Sequence, residues 1–268
     1  RSISETIAYT TRKTSTIESG PVRVPSLIEM KMAMQKRGLD FTHIVDVKGN
    51  PQPLGQLLMD YFDYRAKILN NYVEPRLMDV DRARSLFDEI KARRNPRRAI
   101  PMNKQKGEKK AYAYLTGIVN MIVEEYLDGM DYDLDPRKLT TITKESKPLY
   151  TMSRRLDGAF PSTVNPIAIW EIKEYYYTTT FGSRVADGVY ETLLDGMELK
   201  EISEHEGINI FHLLIVDSHL TWWVMGKSYL CRIIDMLNMG YIDEVLFGFE
   251  VVEELPDIVH GWAEQFSG

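Results

Sequence analysis

The sequence predicts an α/β fold with a mixed five-stranded sheet flanked by helices, preceded by an N-terminal helical lobe. Three observations support this prediction. Apolar residues recur at helical spacing across residues 25–95. Beyond residue 127, short segments rich in Ile, Val and Thr alternate with helical segments. The 268 residues, 44% of them hydrophobic, suffice for one large core, or for one core and a smaller lobe.

The N-terminal part of the chain is predicted to be mainly helical. Residues 1–24 are rich in Ser and Thr and lack a sustained period, which indicates a loose arm. Helices are predicted over residues 27–36, 54–71 and 81–94. Asp81 is the expected cap of the third helix, and Asn95-Pro96 ends it, because the residue before a proline disfavours helical backbone.

The remainder of the chain is predicted to supply the sheet and its flanking helices. A long helix is expected from Glu108 to about Leu127. Strands are predicted over residues 138–144, 149–159, 166–177, 208–216 and 245–251. Further helices are predicted over residues 183–199, 227–239 and 256–266. A β-meander followed by alternating helices and strands indicates a mixed sheet with helices on both faces.

The composition limits the cellular compartment and the cofactors that can be expected. The single cysteine, Cys231, excludes an intrachain disulfide framework and a Cys-rich zinc site, and it favours a reducing, cytoplasmic setting. No run of 18 apolar residues is present, so no membrane partner is expected. No Gly-rich phosphate loop is present, so no nucleotide cofactor is expected.

The charge is unevenly distributed along the chain. The net charge is −6, yet residues 91–110 hold nine Lys or Arg against one Glu. Such a basic stretch on an acidic protein is either a solvated linker or a site for a polyanion. The residues expected to contact phosphates are Arg93, Arg94, Arg97, Arg98, Lys104 and Lys106. Arg184, at the start of the helix over residues 183–199, is either a further phosphate contact or a solvated side chain.

The segments around Asp157 and Glu171 contain the candidate catalytic and metal-binding residues. Side chains alternate along a strand, so Glu171 and Lys173 point to the same side and Ile172 points to the other. Asp157 ends the preceding strand, and a turn brings the two strands antiparallel, which places Asp157 beside Glu171. Two adjacent carboxylates repel each other unless a cation offsets their charge, and hard oxygen ligands suit Mg²⁺.

The pattern Asp157-x13-Glu171-x-Lys173 resembles the PD-(D/E)xK motif of the restriction-endonuclease-like nucleases, with Leu156 where that family often has Pro. The resemblance covers about residues 108–250 and implies the restriction-endonuclease-like core. It implies that Asp157 and Glu171 are metal ligands and that Lys173 is catalytic.

The same resemblance implies two further groups at the metal. The carbonyl of Ile172 would complete the metal shell. The family often adds an acidic residue from the first core helix, for which Glu108 is the candidate and Glu124 the rival.

Taken together, the resemblance implies a type II restriction endonuclease that cuts double-stranded DNA with Mg²⁺, as a homodimer. Residues 1–100 would form the lobe that recognises or clamps the duplex, and residues 101–268 the nuclease core. Two other functions stay open: a nuclease of an anti-phage or repair system with partner-supplied specificity, and a non-catalytic binding or interaction protein.

The strand context distinguishes this motif from chance occurrences of a Glu-x-Lys triplet. Glu89-Ile90-Lys91 has the same triplet pattern, but it lies on a predicted helix. Only Glu171-Ile172-Lys173 lies on an apolar strand that follows a strand ending in Asp. The alternative is a strand end with a solvated salt bridge between Glu171 and Lys173.

Overall fold

The computed structural model describes residues 2–10, 20–103, 111–178 and 182–267. Its α-helices are α1 Ser2–Thr6, α2 Leu27–Lys36, α3 Pro53–Lys67, α4 Glu74–Arg76, α5 Val80–Arg94, α6 Tyr114–Tyr126, α7 Ser183–Glu206, α8 Lys227–Asn238 and α9 Glu250–Ser267. Two π-helical segments span Ile68–Val73 and His219–Met225. The strands are β1 Asp133–Leu134, β2 Thr141–Lys144, β3 Lys147–Thr151, β4 Gly158–Phe160, β5 Ala168–Lys173, β6 Phe211–Val216 and β7 Glu244–Phe247.

The main sheet has five strands in the order β1-β4-β5-β6-β7. The pairs β1–β4 and β4–β5 are antiparallel, whereas β5–β6 and β6–β7 are parallel. The sequence-based prediction of an α/β fold with a mixed five-stranded sheet flanked by helices is therefore confirmed. Within the described ranges, no helix has both the length and the apolar composition that a bilayer span requires.

The membership of the sheet differs from the prediction at its first two strands. The segment 149–159 is interrupted: its first part lies in β3 and its last part in β4. Strand β3 pairs with β2 in a separate two-stranded sheet, and the short β1 takes the place at the edge of the main sheet. Strand propensity identifies extended segments, but the pairing partner depends on distant contacts.

Several helix boundaries also differ. Helix α6 begins at Tyr114 instead of Glu108, and the three residues before it pair with residues 101–103. Asp79, and not Asp81, caps α5, because its side chain accepts a hydrogen bond from the backbone N–H of Arg82. Helix α9 begins at Glu250 and continues through Pro256, which the prediction took as its first residue.

The helices cover both faces of the main sheet. Helices α5, α6 and α9 pack on the face that carries Trp170. Helices α7 and α8 pack on the opposite face, together with the π-helical segment Ile68–Val73. Because α5 shares its apolar cluster with α6, this helix packs as part of the core.

Asp217 connects the end of β6 to the segment that follows β5. Its side chain is fully buried and accepts hydrogen bonds from the backbone N–H of Tyr175 and from Nε1 of Trp222, the latter at 2.8 Å. Burial raises the pKa of Asp217 to about 8, and the nearby Glu174 adds to the shift. The folded chain therefore keeps a proton on Asp217 that the unfolded chain loses near pH 4.

This raised pKa predicts a pH-dependent stability difference. Between about pH 4 and 8 the folded state binds the extra proton, so the contribution of Asp217 to the free energy of unfolding falls as pH rises. As pH rises through this window, the free energy of unfolding of Asp217→Asn should increase relative to that of wild type by up to about 1.4 kcal/mol per pH unit. Urea unfolding of both proteins at pH 5, 6, 7 and 8 measures it. Parallel stability curves would contradict the shift.

Candidate active site

Asp157 and Glu171 are cross-strand neighbours at the end of β4. Gly158 pairs with Trp170 in the antiparallel ladder, so the residue before Gly158 faces the residue after Trp170. The backbone N–H of Asp157 donates to Oε1 of Glu171 at 3.2 Å. Oδ2 of Asp157 accepts from the backbone N–H of Ile172 at 2.8 Å. The structure thus brings together the two carboxylates that the sequence pairs.

Lys173 lies on the same side of β5 as Glu171. Its Nζ donates to Oε2 of Glu171 at 2.9 Å. Glu171 is 1% exposed and Lys173 is 5% exposed. The two residues therefore form a buried ion pair, in contrast to the solvated salt bridge of the alternative interpretation.

Burial and mutual attraction shift the pKa values of Glu171 and Lys173 in opposite directions. Burial disfavours the charge on Glu171, but Lys173 and Arg154 outweigh it and lower the pKa of Glu171. Burial also disfavours the charge on Lys173, but Glu171 outweighs it and raises the pKa of Lys173. Both side chains consequently stay ionised at neutral pH.

Arg154 is a third partner of Glu171 that the sequence analysis did not assign. It lies between β3 and β4, and one guanidinium nitrogen donates to Oε2 of Glu171 at 2.9 Å. The other nitrogen donates to Oδ2 of Asp195 on α7 at 2.5 Å. Oε2 of Glu191, one turn earlier on α7, lies 3.6 Å from both Arg154 and Lys173.

Helix α7 therefore contributes acidic residues that sequence reasoning missed. Glu191, Asp195 and Glu198 recur at intervals of four and three residues and so share one face of the helix. Glu198 accepts the backbone N–H of Ser153 at 3.2 Å, next to Arg154. An acidic stripe at helical spacing, on the helix after the motif strand, is the signal that would have found them.

The carboxyl groups of Asp195 and Asp157 lie in environments that disfavour their charge. Burial raises the pKa of Asp195 to about 7, although Arg154 opposes the shift. Burial and the adjacent Glu171 raise the pKa of Asp157 to about 6. The positive charges present do not fully compensate the carboxylates, so an added cation would be stabilised here.

The chemistry of the donor set fits a hard divalent cation. The carboxylates of Asp157, Glu171, Glu191 and Asp195 outnumber the two basic side chains, which leaves a net charge of −2 when all are ionised. Oδ1 of the fully buried Asp195 has no hydrogen-bond partner among the described residues. Mg²⁺ binds carboxylate oxygens of this kind, which are buried and lack a compensating positive charge.

The side chains of this cluster would supply only a few of the ligands of a bound metal ion. Within the described ranges, no three acidic, His or Cys side chains converge closely enough to hold a metal ion alone. Mg²⁺ commonly binds through one or two carboxylates and takes its other oxygens from water and substrate phosphate. The N–H of Ile172 faces Asp157, and in a regular strand the carbonyl of the same residue faces the same way.

Of the two candidates for a fourth acid from the first core helix, the structure describes only Glu124. Glu108 lies outside the described residues. Glu124 is buried near the end of α6, where it accepts the backbone N–H of Arg97 at 2.9 Å. The start of α6 is held instead by Glu174, which accepts the N–H of Thr116 at 2.9 Å. Thr116 and Glu124 are about 12 Å apart along the helix axis.

Part of the basic stretch packs against the far end of α6. Arg94 forms an ion pair with Glu125, and Arg97 forms one with Asp128 at 2.7 Å. The guanidinium of Arg98 lies 4.3 Å from the ring centroid of Tyr132. Through these contacts, Arg94, Arg97 and Arg98 are held by residues at and beyond the C-terminal end of α6, and not by Asp157, Glu171 or Lys173.

Of the remaining residues predicted to contact phosphates, the structure describes Arg93 and Arg184. Arg93 is exposed on α5. Arg184 is exposed in the first turn of α7, whose cap residue is Gly182. Lys104 and Lys106 lie outside the described residues.

The fold and the site define an α/β protein in which a buried Asp–Glu–Lys cluster lies where β4 and β5 meet α7. The chain belongs to the family described as Domain of unknown function (DUF7687), which matches residues 78–262. Residues 1–72 match a second family, Domain of unknown function (DUF7690). The two matches separate α1–α3 from the five-stranded sheet and its helices. No curated protein and no solved structure matches the chain.

Proposed function

We propose that this protein is a Mg²⁺-dependent endonuclease that hydrolyses phosphodiester bonds of double-stranded DNA, on a restriction-endonuclease-like core. The observation that carries the proposal is the buried cluster of Asp157, Glu171 and Lys173, with its excess of negative charge. The resemblance of these residues to the PD-(D/E)xK motif supports the choice of reaction, and the described geometry is compatible with it.

Asp157 and Glu171 would hold the ion, together with the carbonyl of Ile172. The bound Mg²⁺ would supply a Lewis acid for the phosphate and lower the pKa of the attacking water. Asp157 is suited to this role because only one of its carboxylate oxygens is held by Ile172. Glu171 is suited because its charge is maintained at neutral pH by Lys173 and Arg154.

Lys173 would act through its positive charge. The ion pair with Glu171 raises the pKa of Lys173, so the side chain is protonated at neutral pH and is a poor general base. A buried ammonium group adjacent to the scissile phosphate would instead stabilise the negative charge that develops on the phosphate oxygens. Arg154 and Asp195 would keep Glu171 in position from the side of α7.

We further propose that the enzyme is a sequence-specific type II restriction endonuclease that acts as a homodimer. Two-fold symmetric sites in duplex DNA match a two-fold symmetric enzyme, in which each subunit cuts one strand. Support for this finer assignment comes from the family resemblance alone.

The test is cleavage of a large supercoiled plasmid by the purified full-length chain. With Mg²⁺ we expect discrete fragments whose sequenced ends share one motif, and with EDTA we expect intact plasmid. A smear without a shared motif would retain the nuclease and reject intrinsic sequence specificity. Intact plasmid with both Mg²⁺ and Mn²⁺, over a range of salt concentrations, would reject the nuclease.

A further inference from the structure

The hairpin formed by β2 and β3 stands apart from the main sheet. Its strands pair with each other in antiparallel register from Thr141↔Thr151 to Lys144↔Lys147, and Thr141 at the base also forms a parallel bridge with Val164. Glu145 and Ser146 form the two-residue turn, and both have positive φ, at 51° and 64°. Two positive φ values are typical of the tight hairpin turn that matches the twist of the strands.

The base of the hairpin is firmly attached to the protein. Ile142 and Met152 are buried in an apolar cluster that includes residues of β5 and α7. The N–H of Thr141 donates to the carbonyl of Thr163 at 2.9 Å, and the N–H of Thr143 donates to Oδ1 of Asn165 at 2.6 Å. The hairpin is therefore a fixed ribbon with an anchored base.

The free part of the ribbon is basic and polar. Lys144 and Lys147 flank the turn, and both are exposed. Lys138 and Arg155 are exposed near its base. From residue 138 to residue 155 the chain has four exposed Lys or Arg residues and one exposed acidic residue, Glu145, although the whole chain has a net charge of −6.

The ribbon leads directly into the candidate active site. Strand β3 ends at Thr151, and Arg154 and Asp157 follow within six residues. The seven residue-to-residue steps from Lys147 to Arg154 span at most about 23 Å when extended. Along B-form DNA this corresponds to about seven base pairs.

We propose that the β2–β3 ribbon enters the major groove of B-form DNA within about seven base pairs of the scissile phosphate. This inference rests on the proposed nuclease function and names the form of its substrate. The major groove of B-form DNA admits a two-stranded β-ribbon, whereas the major groove of A-form RNA is too deep and narrow. Lys144 and Lys147 contact phosphates on the groove walls.

The test is a binding measurement that does not depend on cleavage. Fluorescence anisotropy in EDTA compares a 30-base-pair DNA duplex, which contains the cleavage motif if one is found, with an RNA duplex of equal length. The variants are Lys144→Ala, Lys147→Ala and their combination. Lys200→Ala is the control, because it removes an exposed lysine from α7 whose ammonium lies over Tyr241. Melting temperatures confirm that each variant is folded.

For the combined variant we expect the dissociation constant for DNA to rise about 10- to 100-fold at 0.1 M salt, with a salt slope smaller by about two. The control variant should bind DNA as wild type does. Binding of wild type to the RNA duplex should be weaker and unaffected by the lysine substitutions. Methylation of guanine N7 within about seven base pairs of the cut should weaken binding of wild type, because N7 lies in the major groove.

Three results would overturn the ribbon inference: equal DNA affinity of the combined and control variants, equal losses on the DNA and RNA duplexes, or no DNA binding by wild type. None of these decides the nuclease proposal, which the plasmid assay tests separately. If wild type cuts plasmid and the combined variant binds DNA normally, the nuclease proposal stands and the ribbon has no part in binding.

Discussion

Lys173→Ala is expected to lower the rate of Mg²⁺-dependent DNA cleavage by about 10²–10³-fold, the effect of removing one group that stabilises transition-state charge. The ammonium group of Lys173 is buried and 2.9 Å from Glu171, so no water can replace its charge at the same place. Single-turnover cleavage of a plasmid or of an oligonucleotide duplex measures the rate. Binding of DNA by this variant in EDTA should remain close to that of wild type.

The matched acidic variants are Glu171→Gln and Glu89→Gln. Glu171 lies on β5 within the cluster, whereas Glu89 belongs to the similar triplet Glu89-Ile90-Lys91, exposed on α5. We expect Glu171→Gln to abolish cleavage and Glu89→Gln to leave it unchanged. Equal rates for both variants, or full activity of Lys173→Ala, would place the chemistry elsewhere.

The pH dependence of cleavage separates the two roles open to Lys173. The raised pKa of Lys173 keeps its charge below pH 10, so a charge-stabilising lysine adds no rise in rate between pH 6 and 9. Lys173→Arg retains the charge and should recover part of the activity that Lys173→Ala loses. A rate that depends on deprotonation of residue 173, and no recovery by arginine, would indicate a general base.

Arg154→Ala is expected to destabilise the folded protein by about 3–5 kcal/mol, the usual cost of leaving a buried charge without its partner. Arg154 bridges Glu171 and Asp195, which are almost completely buried. With all carboxyl groups ionised, its removal changes the net charge of the cluster from −2 to −3. Urea unfolding at pH 7.5 in EDTA measures the loss.

The control is Arg155→Ala, because Arg155 is the adjacent residue and is exposed. Its effect on the free energy of unfolding should stay within about 0.5 kcal/mol. Saturating Mg²⁺ should recover more stability for Arg154→Ala than for wild type, since the ion finds a more negative site. Equal stabilities of the two arginine variants would show that the bridge between Glu171 and Asp195 contributes nothing.

Much of the fold could be predicted because it depends on local pattern. The strands β5 and β6 are short apolar runs, and α2 has the Ser26–Glu29 capping box that a sequence signal describes. The division of the segment 149–159 could not be predicted in the same way. Both halves are extended, and in the structure β3 pairs with β2 while Ile142 and Met152 pack in one apolar cluster.

The sequence by itself determined that Asp157, Glu171 and Lys173 meet. Alternation along β5 sets Glu171 beside Lys173, and one turn sets Asp157 opposite Glu171, so spacing within a single chain segment suffices. Only the tertiary structure decided that Arg154, Glu191 and Asp195 join them. Helix α7 follows β5 through a separate connection, and which of its faces meets the sheet depends on the packing of the whole core.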